Sequence, residues 1–235
     1  MATACSRLRA ALFDAGNTLI RMDYGAIAAA LGDHGVVVDP GAVEDAELRA
    51  RVRLDPYLAP GASTESVGTH DRYIRYVLEH LGVTAPATVA AMERWRRGYN
   101  APTGLWILAD PAAAPALARA KAAGLVVGVI SNSNGTVTRT LESAGLGVWI
   151  DFVVDSSVVG VEKPDPRIFS MAVERAGVSP GEAAYVGDLY SVDVLGARAA
   201  GLAAVLIDPR GYWGPRDCLR ARDAAHAVRR LLGDG

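Results

Sequence analysis

Three short apolar segments of the sequence each end in, or run directly into, a polar side chain that could do chemistry. Asp14 follows "AALF", Ser131 follows "LVVGVI" and Asp188 follows "AYVG". A second aspartate, Asp193, comes shortly after Asp188, and Lys163 lies in the loop "GVEKPDPRIF". Carboxylates gathered at one place repel each other and need a cation, and oxygen ligands without histidine or cysteine suit Mg²⁺. These residues therefore predict a magnesium site.

A phosphate group next to such a metal needs hydrogen-bond donors and positive charge. Ser131, the backbone N–H groups near Asn132, and Lys163 are placed to supply them. Lys121 and Lys163 are the only lysines in a chain that otherwise uses arginine. A lysine at position 163 thus favours a site that needs a compact point charge. We predict that Ser131, Asn132 and Lys163 bind phosphate.

These residues must be positioned by a parallel α/β sheet, because short apolar runs alternate with longer helical segments from residue 105 onward. The runs "LVVGVI", "DFVV", "AAYVG" and "AAVLI" predict strands, and Ala-rich or amphipathic segments closed by glycine predict the helices between them. In an open parallel sheet, ligands bind beyond the carboxyl ends of the strands. We therefore expect a doubly wound, Rossmann-like core whose strand ends bring the polar residues together.

Residues 21–104 have a different pattern, with helical periodicity and no convincing strand. We predict a Rossmann-like catalytic core formed by residues 1–20 and 105–235, and an inserted α-helical cap domain over residues 21–104. The loop from Tyr57 to His70 is expected to overhang the crevice. The arginines at positions 49, 51 and 53 are interpreted as a solvent-exposed helix face.

Composition narrows the classes of partner. The 235-residue chain carries a net charge of −2, so charge suggests neither nucleic acid nor a membrane surface as a partner. The two cysteines, Cys5 and Cys218, lack the spacing of a metal site and fit a reducing compartment. No apolar run reaches membrane-spanning length. We expect a cytoplasmic protein, either a monomer or a homodimer.

Four segments together resemble the motifs of the haloacid dehalogenase superfamily of hydrolases, in the order of that family. They are "LFDAGNTLI", "VVGVISNS", "GVEKPDPRIF" and "YVGDLYSVDVLGARAAG". The resemblance implies an α/β core with a helical cap inserted after the first motif, and Mg²⁺-dependent hydrolysis of a small phosphorylated metabolite through an aspartyl phosphate. It further implies that Asp14 is the nucleophile and that Ser131 and Lys163 are catalytic groups that bind the phosphate. The metal would be surrounded by Asp14, Asp188, Asp193 and the Gly16 carbonyl. Thr18 is grouped with the phosphate-binding residues and is expected to form a hydrogen bond within the turn that aligns Asp14.

Gly16 is where the sequence departs from that pattern. Most phosphatases of the superfamily have a second aspartate there, which serves as general acid and then as general base. Two alternatives therefore stay open: a 2-haloacid dehalogenase, and a member that binds a phosphorylated ligand or a protein but has lost turnover. The segment "GDLYSVD" favours magnesium and phosphate over the dehalogenase. A phosphonatase-type mechanism needs a cap lysine, and residues 21–104 contain none.

Overall fold

The computed structural model of the chain describes residues 8–234, so Cys5 lies outside the described part. The strands are, in chain order, β1 Ala10–Phe13, β2 Ile20–Met22, β3 Trp106–Ala109, β4 Val126–Ser131, β5 Phe152–Asp155, β6 Ala183–Gly187, β7 Ala203–Ile207 and β8 Leu219–Ala221. Six of them form one sheet in the order β5-β4-β1-β6-β7-β8, with every neighbouring pair parallel. The predicted α/β, doubly wound, Rossmann-like class is confirmed.

Helices connect these strands. They are α1 Tyr24–Gly32, α2 Pro40–Leu58, α3 Val67–His80, α4 Pro86–Gly98, α5 Ala113–Ala122, α6 Val137–Ser143, α7 Ser156–Val159, α8 Pro166–Ala176, α9 Leu195–Ala199 and α10 Ala224–Leu232. A five-residue π-helical segment, Tyr190–Val194, precedes α9. Side-chain caps explain where several helices begin. For example, the side chains of Asp39 and Ser66 accept hydrogen bonds from backbone N–H groups in the first turns of α2 and α3.

The parallel sheet separates two apolar layers. On one face Phe13 and Val129 pack with helices α5 and α10, and on the other Leu12 and Tyr185 pack with α8. Gly128 allows the Phe152 ring to pack closely against β4, since a Cβ built at Gly128 would lie 2.5 Å from that ring. A third apolar cluster lies within α1–α4 and the adjoining strands. The strand ends are therefore held by core packing on both faces.

Two strand pairings were missed from the sequence. β2 and β3 form a separate antiparallel ribbon that flanks the helices α1–α4, and β8 joins the edge of the main sheet. Both β2 and β8 are only three residues long, which leaves too little alternation to recognise. Cys218 is a free cysteine in the described structure. Within residues 8–234, every helix is too short or too polar to cross a lipid bilayer.

Candidate active site

The central strands β1, β4 and β6 end at the same edge of the sheet. In the parallel register Phe13 pairs with Val129 on one side and with Val186 on the other. The polar residues that follow these strands therefore lie at the same level along the strand direction. They line a cavity of about 850 Å³ between the sheet edge and the helices α2–α4. The described cavity brings together the following predicted site residues: Asp14, Gly16, Ser131, Asn132, Lys163, Asp188 and Asp193.

Lys163 lies at the centre of the polar cluster. Its Nζ donates to Asp14 Oδ1 at 2.5 Å, to Asp193 Oδ1 at 2.8 Å and to the Tyr185 hydroxyl at 2.9 Å. The ammonium group is buried, and these three contacts use all of its hydrogens. The fixed ammonium group places one positive charge beside the Asp14 carboxylate.

Asp193 is the most completely hydrogen-bonded carboxylate of the cluster. Its Oδ2 accepts the backbone N–H groups of Asp188 at 3.0 Å and Leu189 at 2.9 Å, while its Oδ1 faces Lys163. Gly187 makes this packing possible, because a Cβ there would lie 2.4 Å from Asp193 Cγ. Asp193 therefore fixes both Lys163 and the loop that carries Asp188.

Burial and charge shift the pKa values of these groups. Burial raises the pKa of Asp14 to about 6, although the neighbouring Lys163 lowers it. Burial also raises the pKa of Asp188 well above its usual range. Burial by itself lowers the pKa of Lys163, but the carboxylates of Asp14 and Asp193 outweigh it and hold that pKa above the usual value. The raised pKa values of Asp14 and Asp188 indicate that Lys163 alone does not supply enough positive charge to stabilise all the carboxylates of the cluster in their ionised form.

The donor set fits a hard divalent cation. One carboxylate oxygen from each of Asp14, Asp188 and Asp193 lies within 4.8 Å of the others. Within the described residues, Asp188 Oδ1 accepts no hydrogen bond, and none reaches the Gly16 carbonyl. Free oxygens of this kind are the ligands that Mg²⁺ prefers.

The turn after β1 is tied to the end of β6. Asn17 has a left-handed backbone, with φ of 54°, which asparagine tolerates better than most residues. Its Nδ2 donates to Asp188 Oδ2 at 3.3 Å, and its Oδ1 accepts the Trp106 Nε1–H at 2.9 Å. Asn17 therefore holds the Asp14 turn against Asp188, a role that the sequence does not reveal.

Thr18 does not have the position expected from the sequence. It is buried, lies outside the main cavity, and lines a small separate one. Among residues 8–234 no group hydrogen-bonds with its Oγ1, so the expected hydrogen bond within the turn is not formed. The turn instead closes through backbone bonds to the Ala15 carbonyl, which turn the Thr18 side chain away from the site. Thr18 is therefore not placed to bind phosphate.

Asn132 acts on the site through the Lys163 loop. Its Oδ1 accepts the Lys163 backbone N–H at 2.7 Å, and its Nδ2 donates to the Lys163 carbonyl at 3.0 Å and to Thr64 Oγ1 at 2.9 Å. The side chain thus joins two parts of the core to the helical segment. Ser131 is buried at the end of β4, and its hydroxyl donates to the Asn132 carbonyl at 3.2 Å.

A buried ion-pair network from α2 also reaches the site. Arg51 forms two hydrogen bonds to Glu47, at 2.8 and 2.5 Å, and its Nη1 lies 3.2 Å from Asp188 Oδ2. The hydroxyls of Tyr24 and Tyr73 also donate to Glu47. The interpretation of Arg51 as solvent-exposed is wrong, because its side chain is only 3% exposed. Arg49 and Arg53 are exposed, as the sequence indicates.

Part of the cavity wall comes from the segment between α2 and α3, from the first turn of α3 and from β3. Glu65 and His70 line it, with Glu65 Oε1 3.9 Å from His70 Nε2. The His70 ring centre lies 6.0 Å from that of Trp106, whose indole borders the Asp14 turn. The expected overhang of the loop from Tyr57 to His70 is met only in part: residues 57–58 belong to α2 and residues 67–70 to α3, and the residues of this stretch that line the cavity are Thr64, Glu65, Thr69 and His70. Neither spacing nor periodicity singles out Glu65.

Comparisons with known proteins agree with this geometry. A model of haloacid dehalogenase-like hydrolases matches residues 8–201. The chain is 32% identical over 212 residues to a mouse haloacid dehalogenase-like hydrolase domain-containing protein 3, covering 86% of this chain and 82% of that protein. Over 99 residues it is 44% identical to a phosphoserine phosphatase from Thermus thermophilus, covering 42% of this chain and 40% of the enzyme.

Solved structures share the fold. A crystal structure of a dehalogenase with an intermediate complex aligns with a TM-score of 0.62 and 22% identity, covering 95% of this chain and 96% of that one. The likeness to solved structures extends to phosphatases and dehalogenases alike, so the fold by itself does not distinguish phosphate-ester from carbon–halogen hydrolysis.

Proposed function

The chain belongs to the haloacid dehalogenase-like hydrolases, and from that membership we propose that it is a Mg²⁺-dependent phosphatase of a small phosphorylated metabolite. The observation that carries the proposal is the convergence of Asp14, Lys163 and Asp188 at the floor of one cavity. A nucleophilic carboxylate, a fixed ammonium group and free oxygen ligands are what phosphoryl transfer requires. The similarity to a phosphoserine phosphatase supports the same class.

The reaction has two steps on Asp14. A carboxylate oxygen attacks phosphorus, the bond to the leaving oxygen breaks, and an aspartyl phosphate forms. Water then attacks phosphorus, the bond between phosphorus and the Asp14 oxygen breaks, and inorganic phosphate leaves. Lys163 stabilises the charge on the transferring oxygens, and Ser131 presents its hydroxyl to the same group. Asp193 and Asn132 keep Lys163 in place.

Asp14, Asp188 and the Gly16 carbonyl would hold the metal directly. Asp193 would complete the site through Lys163 and the Asp188 loop, because its oxygens already accept several hydrogen bonds. When bound, Mg²⁺ offsets the repulsion between the anionic substrate and the carboxylates.

The helical segment 21–104 is proposed to act as a cap that selects the substrate. Its α4 places Arg96 and Arg97 at the cavity, and both pair with Asp71, at 2.8 and 2.5 Å. Two cations share one carboxylate there, which leaves one excess positive charge in this cluster of three side chains. This charge supports an anionic metabolite as substrate.

Removal of the metal is expected to abolish phosphate release. We expect a screen of phosphorylated metabolites with Mg²⁺ to give at least one substrate, and EDTA to reduce phosphate release to background, because the carboxylates then repel the substrate. Excess Mg²⁺ added back should restore the rate. Measurement of inorganic phosphate gives the readout, and turnover that persists in EDTA would contradict metal dependence.

A second candidate, 2-haloacid hydrolysis, is favoured by Gly16, because dehalogenases of this superfamily do without an acid at that position. The same preparation therefore needs a halide-release assay with 2-chloropropionate. Halide release without Mg²⁺, and no phosphate release, would replace the phosphatase proposal. Binding of phosphorylated ligands without either reaction would indicate a member that has lost turnover.

A further inference from the structure

Gly16 has no side chain that could transfer a proton, although steric crowding does not require glycine at this position. Gly16 does not have a left-handed backbone. A Cβ built there would lie 3.5 Å from Trp106 Cδ1 and 3.9 Å from Asp14 Oδ2, which are ordinary contacts. A β-carbon would therefore be tolerated at position 16, yet the chain has no side chain there. Expulsion of a poor leaving group and activation of water still need a proton donor and acceptor.

A carboxyl group from the helical segment faces the same cavity. Glu65 lies in a short segment that two hydrogen bonds fasten to the core. Ser63 Oγ donates to Glu162 Oε1 at 3.1 Å, next to Lys163 in sequence, and Thr64 Oγ1 accepts from Asn132 Nδ2 at 2.9 Å, next to Ser131. Both residues before Glu65 are thus anchored to the phosphate-binding loops.

The path from position 16 to Glu65 crosses two aromatic rings. The Trp106 indole lies against Gly16, His70 lies against Trp106, and Glu65 Oε1 lies 3.9 Å from His70 Nε2. Glu65 is 27% exposed, and within the described residues its carboxyl group accepts no hydrogen bond. It is therefore free to reach a group bound in the cavity.

We propose that Glu65 is the general acid and base that the reaction lacks at Gly16, an inference that rests on the proposed phosphatase function. In the first step Asp14 forms its bond to phosphorus, and the Glu65 carboxyl proton passes to the leaving oxygen as the phosphorus–oxygen bond breaks. In the second step the Glu65 carboxylate takes a proton from water while the water oxygen bonds to phosphorus and the bond to Asp14 breaks.

The surroundings of Glu65 suit an acid that works near neutrality. Burial, together with the nearby carboxylates and against the opposing effect of Lys163, raises its pKa to about 7. His70 adds no positive charge at neutral pH, because burial and Arg96 lower its pKa to about 4. The charged or titratable groups that face Glu65 are Glu162, Lys163, Asp14, Asp155 and His70.

Leaving-group dependence tests this proposal. For Glu65→Gln with Mg²⁺ present, we expect kcat/KM for an alkyl phosphate to fall by about 100-fold or more, and for p-nitrophenyl phosphate by less than about 10-fold, because nitrophenolate leaves without a proton. The alkyl phosphate rate of the wild type should fall as pH rises through about 7, since the acid must be protonated. That decline should vanish in the variant.

Two variants separate catalysis from structure. Glu162→Gln removes a neighbouring carboxylate that is bonded to Ser63, and any loss should be equal for the two substrates. Glu65→Gln with Gly16→Asp should recover alkyl phosphate hydrolysis relative to Glu65→Gln. Equal losses on both substrates in Glu65→Gln would overturn the proposal, as would a Gly16→Asp change that accelerates the wild type but does not rescue Glu65→Gln. If the wild type shows no Asp14-dependent phosphate release, the proposed function fails instead.

Discussion

The Asp14→Asn variant is expected to lose phosphate release by at least about 10⁴-fold, because an amide oxygen cannot replace the attacking carboxylate. The fold should survive the change. Lys163 keeps its contacts with Asp193 and Tyr185, and the substitution removes a buried charge that is costly near neutral pH. Steady-state phosphate release with the best substrate of the screen, together with a thermal melt, measures both effects.

An exposed aspartate provides the matched control for Asp14→Asn. Asp151 pairs with Lys121 at 2.7 Å on the surface, away from the cavity, and 38% of its side chain is exposed. Asp151→Asn should retain wild-type turnover. If Asp14→Asn turns over at the wild-type rate, Asp14 is not the nucleophile and the two-step mechanism is wrong.

The Arg51→Met variant is expected to lose about 3–5 kcal/mol of unfolding free energy. Arg51 is the cation that offsets the buried carboxylates of Glu47 and Asp188, so its removal leaves two charges unpaired in the interior. The deficit relative to the wild type should shrink as pH falls toward the usual carboxylate range, because burial raises the pKa of Asp188 and its protonation removes one of the unpaired charges. Urea unfolding at several pH values measures it.

Two further variants give this experiment its controls. Arg53→Met lies on the same helix, but its pair with Glu79 is exposed, so the expected change is within about 1 kcal/mol. Glu47→Gln combined with Arg51→Met should recover part of the loss, because one of the unpaired charges is removed. An Arg51→Met protein as stable as Arg53→Met would show that the network does not hold the helical segment to the site.

The sequence predicts those parts of the site that follow from strand ends. Asp14, Ser131 and Asp188 come at the carboxyl ends of apolar runs or directly after them, and in a parallel sheet such ends meet. The chemistry of oxygen ligands and the scarcity of lysine were enough to add Asp193 and Lys163. The strand order and the ribbon of β2 and β3 needed the structure, because pairing between distant short strands leaves no local pattern.

Residues whose roles depend on long-range contacts were missed or misplaced. Arg51 and Glu47 are spaced like an exposed helical pair, and only the packing of α2 against the core shows that both are buried. Glu65 belongs to a loop without periodicity, and its place at the cavity depends on the anchoring of Ser63 and Thr64. Thr18 was misplaced because the direction of its side chain is set by the backbone bonds of the turn.

Trapping the covalent intermediate on Asp14 tests directly whether this carboxylate is the nucleophile. Acid quenching during turnover of a phosphate monoester, followed by borohydride reduction and peptide mass spectrometry, identifies any carboxylate that carries a phosphoryl group, because borohydride reduces an acyl phosphate to an alcohol. The predicted result is homoserine at position 14 in the wild type, dependent on substrate and Mg²⁺. Steady phosphate release with an unmodified Asp14, or with a different carboxylate reduced, would contradict the mechanism.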